Sequence, residues 1–200
     1  MQWILKVLGQ KPRLQDWENR AVSPTVEKGP RPADNHDCFE REVAKEAVGL
    51  PEPGGPHERV AKAILAYDIF LSEVVSPVLR RSPIQEGDTV GIVFHFFPGV
   101  DLFCGAVVLE CFDEGRDGIW RTGFKYRTLS GHPELGEETF SVEKNMSTGT
   151  VMVALRSWSR AGSWLTWLAA PYTRYSQIRA NKSALEHLSK VAAQKDCFSK

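Results

Sequence analysis

Val90-Gly91-Ile92-Val93-Phe94-His95-Phe96-Phe97, then Pro98-Gly99-Val100-Asp101, then Leu102-Phe103-Cys104-Gly105-Ala106-Val107-Val108-Leu109-Glu110-Cys111-Phe112 is the stretch on which the fold turns. β-Branched and aromatic residues fill both flanks, and the four residues between them are the turn formers that a chain reversal needs. Three more runs of this kind follow at 119–129, 138–145 and 150–158. Their connectors, 113–118, 130–137 and 146–149, each hold Gly, Pro, Asp, Asn or Ser. Five strand-like runs with short connections predict an antiparallel meander, since strands joined by short turns pair with one another.

The first two runs are apolar at almost every position, whereas a sheet with one wet face alternates. Both faces should therefore be covered, the second by Trp3, Ile4, Leu5 and Trp17 or by a partner subunit in a homodimer. Over residues 163–193, Leu168, Pro171, Tyr175, Ile178, Leu185 and Leu188 fall on the stripe of a long helix, with a kink or break expected near Pro171. Upstream, the breaker 50–56 precedes Val60, Ile64, Leu65 and Ile69, which predict a helix over 57–71. Ser76-Pro77 and Ser82-Pro83 should end regular structure, and 39–48 reads as a first strand or a short helix. Residues 1–37, proline-rich from 10 onward, form an arm, and 38–200 form one domain. The expected class is α+β: a curved antiparallel sheet of about six strands gripped by a long C-terminal helix.

Two hundred residues build one core without covalent staples. Lys+Arg and Asp+Glu are equal at 25 each, a balance that argues against nucleic acid as partner. The four cysteines form no CxxC pair and no zinc spacing, and read as buried reduced thiols. No window approaches the ~20 apolar residues of a membrane span, and the N-terminus lacks a signal peptide's basic leader and cleavage site. The cytoplasm is the expected compartment. GxSxG, P-loop and GxGxxG motifs are absent. No metal and no cofactor are expected.

Chemistry concentrates in Gly131-His132-Pro133-Glu134-Leu135-Gly136-Glu137-Glu138-Thr139-Phe140. Pro133 holds His132 extended and Gly136 permits a tight turn, which fans His132, Glu134 and Glu138 outward. A histidine beside carboxylates has a raised pKa and suits acid–base work near neutrality. The plainer reading makes these carboxylates caps for backbone N–H groups. Strand parity puts Trp120, Thr122, Phe124 and Tyr126 on an inward face and Arg121, Lys125 and Arg127 on the other. Arg156 shares a face with Met152, Ala154 and Trp158, so it needs a partner; Glu138 is the natural one, a bound carboxylate the alternative. His95 reads as a hydrogen-bonded core histidine and 34–38 as a solvated loop. The apolar stretch 163–172 reads as core or pocket lid, with a membrane-surface role as alternative.

Phe124-Lys125-Tyr126-Arg127-Thr128-Leu129-Ser130-Gly131-His132-Pro133-Glu134-Leu135-Gly136-Glu137-Glu138-Thr139-Phe140 resembles the signature of DUF1990, an uncharacterised family of bacteria and plants. Ser157-Trp158-Ser159-Arg160-Ala161 and the later Arg174, Gln177 and Ser183-Ala184-Leu185 are similar to its following motifs. The chain departs from it at Arg127 and Ser130, where the family has Gly and Pro. The resemblance implies a START-like helix-grip fold, which encloses apolar ligands, and it implies no reaction. Three functions follow as expectations. The first is a binding protein for a small apolar or amphipathic molecule, with Trp120, Phe124, Tyr126 and Trp158 lining the cavity and His132, Glu138 and Arg156 at the head group. The second is an enzyme on such a ligand using His132 with Glu134 or Glu138. The third is an interaction or dimerisation module.

Overall fold

The computed structural model describes residues 5–7, 13–24, 34–97, 100–161 and 170–194. Strands β1 (Leu5–Val7), β2 (Asn35–Lys45), β3 (Val75–Val78), β4 (Thr89–Phe97), β5 (Val100–Arg116), β6 (Ile119–Thr128), β7 (Glu134–Asn145) and β8 (Thr150–Ala161) make one antiparallel sheet. Seven run in the order β2-β8-β7-β6-β5-β4-β3, and the short β1 pairs with β5. Helices are α1 (Gln15–Glu18), α2 (Pro56–Leu65) and α3 (Ala170–Ala193). The meander is as expected, and the predicted architecture of a curved sheet with a C-terminal helix is the observed one.

Strand ends differ from the sequence reading where turn chemistry is tighter than composition suggested. The β5–β6 connection is only Asp117-Gly118, with φ of 51° and 79°. Positive φ at both central residues is the twist-matched hairpin turn that Asp-Gly favours. Asp113 and Glu114 therefore remain in β5, opposite Thr122 and Arg121. β7 likewise starts at Glu134, so that carboxylate stands on a strand and not in a loop. Of residues 39–48, 39–45 are strand and 46–48 lie past its end: β2 begins at Asn35 and pairs along β8, which also makes 34–38 mostly ladder and not solvated loop. β3 contains Pro77, which the sequence reading took as an end to regular structure. An edge strand tolerates a residue without an N–H, and β3 is the edge. Helix α2 stops at Leu65, short of the expected 71.

The register slips by one residue between Glu42 and Ala44, between His95 and Phe97, and between Val108 and Glu110. Such bulges bend and twist a sheet. On the concave side, Phe124, Phe140, Val153 and Leu155 pack with Val60 and Ile64 of α2 and Ala184 and Leu188 of α3, all at most 1% exposed. The predicted helix stripe holds at Leu185 and Leu188, while Tyr175 faces solvent. Residues 163–169, the start of that expected helix, lie outside the described residues, as do Trp3 and Ile4. Among the described helices none is long and apolar enough to cross a membrane.

The convex side of β4 and β5 is covered by Trp17, itself 1% exposed, which meets Phe103 edge-on at 6.2 Å. Glycine makes room for it: a Cβ on Gly105 would come within 2.7 Å of the Trp17 ring. The following segment is stitched on by a bridge from Val22 to Leu129 and by Ser23 N–H donating to the Thr128 carbonyl at 2.9 Å. The Thr128 hydroxyl donates to Ser23 Oγ at 3.0 Å and accepts from Gly136 N–H at 3.1 Å. Thr128→Val keeps the shape but orphans both partners, so a loss of about 1–2 kcal/mol is expected in urea denaturation. An unchanged midpoint would mean that water replaces both bonds.

Candidate functional site

Between the concave sheet face and α3 lies a cavity of ≈ 130 Å³, counted as space open to water centres. That is room for on the order of ten waters. Phe70, Val75, Ile92, Phe94 and Leu102 form its apolar wall. The polar end is built by Asp37 from β2, Glu134 and Glu138 from β7, His132 from the β6–β7 loop, and Gln177 and Asn181 from α3.

Register explains Glu138. It stands opposite Tyr126 on one side and Ser157 on the other, which places it on the concave face. The Tyr126 hydroxyl donates to its Oε2 at 2.6 Å. Burial raises its pKa to about 7; the tyrosine bond opposes that shift, and the neighbouring Glu134 and Asp37 carboxylates add to it. Glu134 is raised by burial too, restrained by a hydrogen bond from Gln177 and by Arg174 nearby. Arg174 is paired in a fork with Asp37. Three carboxylates thus gather at one end of the cavity, and the facing guanidinium belongs to one of them.

Tyr67 closes the floor. The chain leaves α2 with this residue at φ 59°, a conformation rare for a bulky side chain and one that clusters at functional sites. Its ring packs on Phe124 at 5.8 Å and Phe140 at 6.2 Å, and the residue is 2% exposed. Its hydroxyl lies by Tyr126 yet makes no well-formed hydrogen bond.

His132 corrects the sequence expectation. Its Nδ1 lies 2.8 Å from the Glu134 carbonyl oxygen, turned back onto its own loop. Burial outweighs that bond and lowers its pKa to about 4, so it is neutral at pH 7 and not the raised histidine expected. The group poised near neutrality is Glu138.

Of the other predicted residues, Tyr126 and Glu134 reach the cavity, and Phe124 lies beneath its floor, fully buried. Trp158 borders the cavity from a convex-face position opposite Glu137. Trp120 stands at the far end of the sheet, its Nε1 donating to Asp113 at 2.8 Å. Arg156 stands opposite Thr139, so parity turns it to the convex face, away from Glu138. It pairs there with Glu143 at 2.5 Å and Glu40 at 2.6 Å. His95 is also convex and partly exposed, and so is no core histidine; its Nδ1 lies 2.8 Å from Asp101 and its Nε2 3.0 Å from the Ser76 hydroxyl. Those three follow the hydrogen-bond order of a hydrolase triad. Pro77, however, leaves the position after Ser76 without the N–H that an oxyanion needs there. Of the cysteines, Cys104 is buried, Cys111 half-buried and Cys38 exposed, the last contrary to expectation. Cys197 lies outside the described residues. Sequence reading missed Tyr67, Asp37 and Asn181. Arg174 and Gln177 were visible only as motif residues.

Residues 24–187 match the family described as a domain of unknown function, DUF1990. A UPF0548 protein of Dictyostelium discoideum is 30% identical over 127 residues, which make up 60% of this chain and 58% of that protein. The chain therefore spans less than two thirds of the length of this curated relative. Among solved structures, hypothetical protein jhp0584 from Helicobacter pylori superposes with a TM-score of 0.55 over 86% of this chain and 96% of that one, at 13% identity. Truncated norcoclaurine synthase from Thalictrum flavum gives 0.50 over 82% and 96%, also at 13%. At such identities the likeness shows the fold alone, a helix-grip arrangement of curved sheet and C-terminal helix.

Proposed function

The chain belongs to the DUF1990 family, whose description assigns no function, and from the site itself we propose that it binds a small amphipathic molecule in the cavity between sheet and α3. One observation carries this reading: an aromatic and aliphatic wall faces a polar end at which the Glu138 carboxyl opens on the cavity. A pocket that is mostly apolar with a few convergent polar groups is the usual form of a small-molecule site. The expected result of native mass spectrometry on gently purified protein is a stoichiometric small molecule, released by solvent extraction. Protein that is empty, and that also fails to take up apolar probes, would sink the proposal.

A second reading has its own support. A carboxyl with a pKa about 7, hydrogen-bonded to Tyr126 inside a cavity, suits proton transfer to or from a bound ligand. In that reading Glu138, and not His132, carries the proton, with Glu134 as its neighbour. Turnover of the extracted ligand with a pH profile centred near 7, lost in Glu138→Gln and kept in His132→Ala, is the expected signature.

A further inference from the structure

We infer that the head group accepted by this cavity is a cation, an ammonium on a small apolar body, with Glu138 as its counter-charge and the Tyr67 hydroxyl as a second acceptor. This rests on the reading that the cavity binds a small molecule and names the class of that molecule.

The charges around Glu138 lead there. Its Oε2 takes the Tyr126 hydroxyl, and no described residue donates to Oε1. Among the described residues, the charged groups acting on it are Glu134 and Asp37, both anionic. Arg174 is committed to Asp37, and Gln177 rather than a cation meets Glu134. A deep carboxylate without a cation is costly, and proteins seldom keep one without use.

Tyr67 is the independent observation. It is 2% exposed, lines the cavity, and its hydroxyl has no well-formed hydrogen bond. The Tyr126 hydroxyl beside it already donates to Glu138, so it can accept from Tyr67 but not donate to it, which leaves the lone pairs of the Tyr67 oxygen open to a donor from the ligand. An ammonium has three N–H donors, which suit Glu138 Oε1 and the Tyr67 oxygen, and the rings of Tyr67, Phe70 and Tyr126 add cation–π attraction. A carboxylate ligand would meet like charges instead. A metal ion fares no better, because among the described residues no three His, Cys, Asp or Glu stand close enough to hold one.

The test is titration calorimetry of the full chain at pH 8 with phenylpropylamine, phenylpropanol and phenylpropanoate, which share one body and differ in head group. The amine should bind at least about tenfold more tightly than the alcohol, with the carboxylate weakest. Glu138→Gln should erase the amine's advantage while alcohol binding stays. Tyr67→Phe, which keeps the ring, should weaken the amine a few-fold and spare the alcohol. Alcohol binding as tight as amine binding overturns the cation assignment and leaves the cavity reading standing, as does an amine advantage that survives in both variants. Binding of none of the three overturns both.

Discussion

Lys144→Met lowers the stability of this protein by about 3–5 kcal/mol, the range for breaking a buried ion pair from one side. Lys144 and Glu46 are both 0% exposed, with Nζ 2.8 Å from Glu46 Oε2. Nζ also donates to the Leu50 carbonyl at 2.8 Å. Glu46 accepts the N–H of His57 at 2.7 Å and of Glu52 at 3.1 Å. The cluster thus joins the end of β7, the exit from β2 and the first turn of α2. Methionine fills the volume and leaves Glu46 a buried charge held by two amides. Burial alone would raise the Glu46 pKa; the Lys144 bond and the His57 and Glu52 amides outweigh it and hold it below the usual carboxylate range. A depressed folded value contributes stability above the unfolded pKa, lost as pH falls through the folded one. The Lys144→Met deficit should therefore be largest near neutrality and shrink in acid, as urea denaturation at pH 7 and pH 3 would show. A neutral-pH deficit under about 1 kcal/mol would mean that water enters and solvates Glu46. Adding Glu46→Gln to the variant should recover part of the loss.

The meander was readable because its signals are local: strand periodicity, turn residues at short intervals, and parity along β6 that does put Phe124 and Tyr126 inward. What failed was whatever depended on two distant segments. β8 presents two rows, Val151, Val153 and Leu155 against Met152, Ala154, Arg156 and Trp158, and only the register with β7 tells which is concave. With the aliphatic row inward, Arg156 and Glu138 fall on opposite faces and their expected pairing cannot form. The direction of the His132 shift had the same origin. Neighbouring carboxylates in sequence argue for a raised value, but depth beneath α3 decides, and depth is not a local property. Tyr67 gave no signal because a helix pattern over 57–71 hides the reversal that aims it at the cavity. Asp37 was hidden differently: it faces Arg174 across 137 positions of chain.

Glu138→Gln stabilises the ligand-free protein by about 2–3 kcal/mol at pH 8 and leaves it unchanged at pH 4. The carboxyl has an ordinary value of 4.5 and about 7 in the fold, raised first by burial and then by Glu134 and Asp37. A raised folded value means that the native state favours the proton. The stability this brings is complete below the unfolded pKa and lost as pH rises through the folded one, so the loss runs from about pH 4.5 to pH 7. Displacement from 4.5 to about 7 corresponds to at most about 3 kcal/mol, and water in the cavity reduces that figure. Glutamine keeps an oxygen to accept from the Tyr126 hydroxyl and removes the charge, so above pH 7 the variant escapes the penalty. Stability bought by erasing a polar group from a pocket is the known signature of a functional residue. The readout is the difference in urea midpoint between the two proteins at pH 8 and at pH 4. No gain at pH 8 would show the carboxylate already solvated or paired, which removes the reason for this cavity to attract a cation. A gain that disappears when a saturating amine is added to the native protein would identify the same charge as the one the ligand neutralises.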